Sequence, residues 1–261
     1  TGLYHNHTVQ LVGSVITEPE VYVDLNIESK GLDASLLKEE ISSLVGENND
    51  FSLAGEVDLS GNISGLIDEF YIRGNVFVSE ITIANIPFRN NSCSFLLSND
   101  GLIINKLESH DLDGNFSISG NIDWSFNDIP SYQFSIQTAN LSLQHPLFKQ
   151  FLPLEDLSGN IDTLLQIESQ KQDSSQLDLA ANFSINSLAR KEFALPEAIK
   201  GNIKSTINIS DHLLSIEQGK LESGKNNASL TGIIQFEELV HFGLNFDCQM
   251  ADLEKLTDAL G

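Results

Sequence analysis

Asn115-Phe116-Ser117-Ile118-Ser119-Gly120-Asn121-Ile122 alternates polar and apolar residues through a glycine. The alternation continues through Asp123, Trp124, Ser125 and Phe126. In an extended chain successive side chains point to opposite faces, so this stretch is a strand with one apolar and one polar face. The same period runs through Val21–Ile27, Phe51–Leu59 and Leu177–Ile185. Gly-Asn, Asp-Gly, Asn-Asp and Ser-Gly pairs separate such stretches at the spacing of antiparallel hairpins.

The stretch also recurs. Asn227-Ala228-Ser229-Leu230-Thr231-Gly232-Ile233-Ile234 and Thr8-Val9-Gln10-Leu11-Val12-Gly13-Ser14-Val15 place a glycine after the same alternation. A second strand follows in each copy, at Val21–Ile27, Tyr132–Gln137 and Phe242–Cys248, and then a leucine (Leu32, Leu141, Leu253) that opens a helical or loop segment. The glycines lie 107 and 112 residues apart. Lys106-Leu107-Glu108-Ser109 answers Lys220-Leu221-Glu222-Ser223, and Leu59-Ser60-Gly61-Asn62-Ile63 answers Leu157-Ser158-Gly159-Asn160-Ile161. A period near 110 is too long for one turn of a β-helix or one propeller blade. The pattern predicts an all-β chain: an antiparallel, repeat-built sheet folded into an open groove, with units of approximately 1–46, 47–152 and 153–261. Short helices are expected near 33–45 (capped by Asp33), 146–152 (opened by Pro146) and 252–260 (capped by Asp252). The repeat has no distinct first or last unit, which predicts a piece of a longer protein.

Composition narrows the partners. Lys and Arg total 14 against 37 Asp and Glu, a formal charge of -23, which repels nucleic acid and anionic membrane surfaces. The longest apolar runs, such as Phe95-Leu96-Leu97, are far too short to span a membrane as a helix. Neither a catalytic constellation nor a phosphate-binding glycine loop is present, and no cofactor or metal is expected. Asp111-x-Asp113-Gly114 resembles the start of a calcium loop but lacks its later carboxylates and reads as a hairpin turn. His5-x-His7 is the one histidine pair with strand spacing for a metal, and it lies at the terminus. Asp58, Asp123 and Glu168 fall on polar positions and read as solvated; Cys93 and Cys248 fall on apolar positions and read as small buried hydrophobes.

The order of alternating strand, glycine, strand, then a short helix after a leucine is carried by Ser229-Leu230-Thr231-Gly232 through Ala251-Asp252-Leu253-Glu254-Lys255-Leu256. Ser117-Ile118-Ser119-Gly120 through Ala139-Asn140-Leu141 repeats it. That order resembles the AsmA-like proteins of Gram-negative envelopes, including the TamB-type proteins. The likeness covers most of the chain as a pattern rather than a signature. It implies a periplasmic apolar β-trough, anchored at the inner membrane through parts of the parent protein outside this chain. The implied role is handling phospholipid between membranes or supporting outer-membrane assembly, without catalysis.

A sheet with one apolar face must cover that face. Closed on itself, this sheet would be a dry structural or adhesive sandwich; left open, it would be a groove able to shelter acyl chains. A β-sheet enzyme or sugar binder would need clustered carboxylates and exposed aromatics. Parity assigns Leu25, Phe51, Leu53, Ile118, Trp124, Phe134, Leu179, Phe183, Phe236 and Phe246 to the inner, lining face.

Overall fold

The computed structural model describes residues 2–4, 7–37, 51–83, 86–111, 113–124, 130–146, 148, 156–170, 173–190, 193–195, 197–236 and 240–249. Contacts divide the chain into two units, Thr1–Asp128 and Ile129–Gly261.

The first unit holds β1 (Gly2–Tyr4), β2 (His7–Ile16), β3 (Tyr22–Asp33), β4 (Phe51–Leu66), β5 (Glu69–Ile83), β6 (Ile86–Ser98), β7 (Gly101–Asp111) and β8 (Gly114–Asp123). Each pairs antiparallel with the next. The second unit holds β9 (Ser131–Ser142), β10 (Leu157–Gln170), β11 (Asp173–Arg190), β12 (Phe193–Ala194), β13 (Ile199–Asn208), β14 (Leu213–Ser223), β15 (Asn226–Phe236) and β16 (Val240–Gln249). It too is an antiparallel meander, with the short β12 pairing only β11. Among the described residues no pairing joins β1 to β8 or β9 to β16, so the sheet is open within each unit.

Among the described residues a 3-10 turn, Ala34–Leu37, follows β3. The Asp33 carboxylate accepts from the Ser35 amide (2.9 Å) and hydroxyl (2.7 Å), which is the capping role expected of it. Pro146 and Phe148 are helical. The rest of 33–45 and 146–152, and all of 252–260, lie outside the described residues.

The repeat is visible in the irregularities of the strands. Gly31 (φ 61) and Asn140 (φ 54) are both left-handed, the conformation that Gly and Asn tolerate best. The Gly31 amide donates to Asp58 Oδ1 at 2.8 Å, and the Asn140 amide to Asp162 Oδ1 at 2.7 Å. In each case the left-handed residue lets the strand shift register, and the next side chain, Leu32 or Leu141, turns into the core. Asp58 is therefore not merely solvated: its carboxylate satisfies the amide freed at the bulge. A second repeated bulge lies farther on. Ile104 pairs with Gly120 and Leu107 with Ile118; Ile216 pairs with Gly232 and Gly219 with Leu230, so each member recurs after the same 112 residues. The Lys-Leu-Glu-Ser likeness is displaced from this structural equivalence by two residues. A two-residue displacement leaves every side chain on the same face.

The core is small. Leu32, Ala34, Val57 and Val78 form one buried cluster where the 3-10 turn folds over the sheet, with Val76 and Ile81 against it. Leu141 and Leu143 are buried at the corresponding place in the second unit. Among the described residues no large side chain is fully enclosed.

Candidate functional site

Cross-strand pairing puts directly opposed residues on one face, so each row of pairs can be followed across a sheet. In the second unit one row runs Thr163, Phe183, Gly201, Leu221, Ala228, Cys248. Another row on the same face, with one row between, runs Phe134, Ile167, Leu179, Ser205, Ile216, Gly232, Leu244. In the first unit a row runs Gly13, Leu25, Ile63, Ile72, Leu97, Leu102, Ile122. None of these rows carries a charge. The neighbouring positions along these strands are polar or charged: Asp24, Asn26 and Glu28 on β3, and Asn245 and Asp247 on β16, face the other way.

The rings on the apolar face lie down rather than stand. A Cβ built on Gly201 would meet the Phe183 ring at 2.3 Å, and one on Gly74 would meet the Phe95 ring at 2.5 Å. Each phenylalanine covers its directly paired glycine, shielding two strands of backbone at once. The face is thereby smooth and apolar but only half-buried. Along β3 its side chains are intermediate while the polar face is exposed, and β15 alternates in the same way.

The ten lining candidates fall as follows. Leu25, Ile118, Phe134, Leu179 and Phe183 sit half-buried on the apolar face. Phe51 and Leu53 pair with Ile83 and Ile81, but their side chains lie outside the described residues. The other three are exposed. Trp124 is 39% exposed and lies one residue beyond β8. Its indole Nε1 donates to the Asn99 carbonyl at 2.5 Å and its amide to the Asp100 carbonyl at 2.9 Å, so it is held over the β6–β7 turn rather than in the face. Phe236 (48%) and Phe246 (63%) have the right parity but belong to β15 and β16. Among the described residues no strand pairs the far edge of β16, so nothing shields them from that side.

The cysteines divide similarly. Cys93 is half-buried between Val76 and Leu107, and burial pushes its thiol pKa up. Cys248 is exposed on β16, not the buried hydrophobe its parity suggested. An alkylating reagent at pH 8 is expected to modify Cys248 roughly tenfold faster than Cys93, because the buried thiol is both less ionised and less accessible. A mass-spectrometric time course checks this; equal rates would mean Cys93 is as open to solvent as Cys248.

Among the described residues no group of three or more His, Cys, Asp or Glu is placed to hold a metal ion. Asp111 pairs with Gly114 across the β7–β8 hairpin, which is the geometry of a turn rather than of a calcium loop. The His110 ring bonds across that hairpin to Asn115 at 3.0 Å. His5 lies outside the described residues. Among the described residues no helix is long and apolar enough to cross a membrane. Comparison with protein-family models, with curated proteins and with solved structures finds no match.

Proposed function

We propose that the apolar face of these open sheets holds the acyl chains of a lipid without altering them chemically. The observation that supports this reading is a face many strands wide, free of charge, and left only half-buried. A dry structural sandwich requires that face to be covered. Among the described residues most of it is not: the 3-10 turn lies over Leu32, Val57 and Val78 in the first unit, and in the second burial is confined to Leu141, Leu143, Ile216 and a few small polar residues such as Ser205. Apolar surface at this scale is where soluble proteins meet apolar partners, and each methylene it shelters contributes about 0.8 kcal/mol. The resemblance to AsmA-like proteins makes phospholipid the class we favour. It places the chain, by the same proposal, in the periplasm of a Gram-negative bacterium, with the membrane reached through other parts of a longer protein.

Gently purified protein is expected to carry phospholipid, detected by mass spectrometry of an organic extract. Stripped protein is expected to take up a fluorescent phospholipid from vesicles. If neither extract nor uptake shows lipid, the dry structural or adhesive alternative takes its place.

A further inference from the structure

The polar face of the first unit carries a cleft of about 480 Å³ over β3 to β7. Most of its lining, Asp58, Ser60, Asn75, Phe77, Ser92 and Ser94 among it, comes from polar-face positions, and the row Ser29, Leu59, Val76 and Cys93 of the other face contributes the rest, so it opens on the side of the sheet opposite the apolar rows. A twisted sheet is saddle-shaped and can be concave on both faces along different directions. Two parallel rows form the floor. Ser60, Asn75 and Ser94 are directly paired across β4, β5 and β6, and Asp58, Phe77 and Ser92 form the next row. Phe77 is 37% exposed, an aromatic face set among polar neighbours.

A single exposed aromatic is ordinary on a protein surface. The setting of this one is less so. The side chains of Ser60, Asn75 and Ser94 make no hydrogen bond to protein among the described residues, so their donors and acceptors are open to the cleft. The cations at its two ends are already occupied: Lys30 is paired with Glu28 at 3.0 Å, and Lys106 with Glu108 at 2.5 Å. With both lysines paired and a chain charge of -23, an anion finds no welcome there. An aromatic platform beside uncommitted hydroxyl and amide groups suits a ligand with an apolar ring face and a rim of neutral hydroxyls.

We propose that this cleft binds a neutral saccharide, one ring stacked on Phe77 and its hydroxyls bonded to Ser60, Asn75 and Ser94. Five strands about 4.8 Å apart give a floor roughly 19 Å across, and the strand spacing is close to the repeat of one pyranose ring in an extended glycan. A chain laid across the strands would keep one edge on the aromatic row and the other on the hydroxyl row. The site is independent of the lipid reading, since it uses the other face.

The test titrates the full chain with cellohexaose, maltohexaose and chitohexaose, and with a sulfated glycan as the anionic comparison. At least one neutral hexasaccharide is expected to bind, and Phe77→Ala to weaken it by roughly tenfold. Phe242→Ala, on the apolar face, is expected to leave it unchanged. Asn75→Ala gives a second reading should Phe77→Ala fold poorly, with weakening of about threefold or more expected. Binding to none of the three, binding to the sulfated glycan alone, or affinity indifferent to Phe77 and Asn75 would each overturn the proposal.

Discussion

Gly232→Ala is expected to destabilise the second unit by about 3 kcal/mol. Gly232 has φ 143, a backbone region that residues with a Cβ rarely adopt. A Cβ there would meet the Gly243 carbonyl oxygen at 2.1 Å and the Leu244 Cα at 2.8 Å. Both are main-chain atoms of β16, so neither can swing aside as a side chain would. Relief requires β15 and β16 to part where Gly232 pairs with Leu244. Gly243→Ala is the matched control. Its Cβ would meet the Ile233 side chain at 3.3 Å and no main-chain atom nearer than 4.0 Å, and its φ is not in the left-handed region. That change is expected to cost within about 1 kcal/mol. Urea unfolding followed by circular dichroism measures both; equal midpoints for the two variants would show that β16 is not held as described.

The period-2 pattern alone made the faces legible. A strand's alternation fixes which residues share a side, and the pairing register then carries that side from strand to strand. Leu25, Ile118, Phe134, Leu179 and Phe183 fall together for this reason. Parity is silent on coverage, however. Phe246 and Cys248 have the same parity as Phe183, yet they are exposed because no described strand pairs the far edge of β16. Trp124 fails differently: the alternation runs past the end of β8, and hydrogen bonding at a neighbouring turn decides where the indole goes.

The bulges were harder to read. Gly31 and Asn140 are left-handed at corresponding places in two repeats, but glycine and asparagine are frequent throughout this chain and neither marks a bulge by itself. Their signature is a pairing with an acid on the next strand. In the sequence Asp58 is one polar-face carboxylate among many; only the Gly31 amide that donates to it sets it apart. Asp58 and Asp162 stand 104 residues apart while Gly31 and Asn140 stand 109 apart, so the period of the repeat does not align the two pairs. The polar-face cleft was hidden for a related reason. Phe77 stands out of phase with Val76 and Val78, but only the bend of the sheet shows that a concavity surrounds it.

A charge on the apolar face should separate folding from ligand binding, and Phe246→Asp is the position that does so. Phe183 is a poorer choice, because its ring covers Gly201 and removing it uncovers backbone. Phe246 is 63% exposed, so its replacement is expected to change stability within about 0.5 kcal/mol. An acyl chain lying along the face would bury that carboxylate against hydrocarbon, and desolvating an unpaired charge costs several kcal/mol. Uptake of fluorescent phospholipid is therefore expected to weaken by roughly tenfold or more. Asn245→Asp adds the same charge one residue away, but Asn245 pairs with Thr231 on the polar face. That variant is expected to bind like wild type. The paired design removes net charge as an explanation, since both variants reach the same total. Equal loss in the two would mean that the vesicle surface is sensing charge rather than the face sensing the acyl chain, and undiminished uptake by Phe246→Asp would place the lipid elsewhere on the protein.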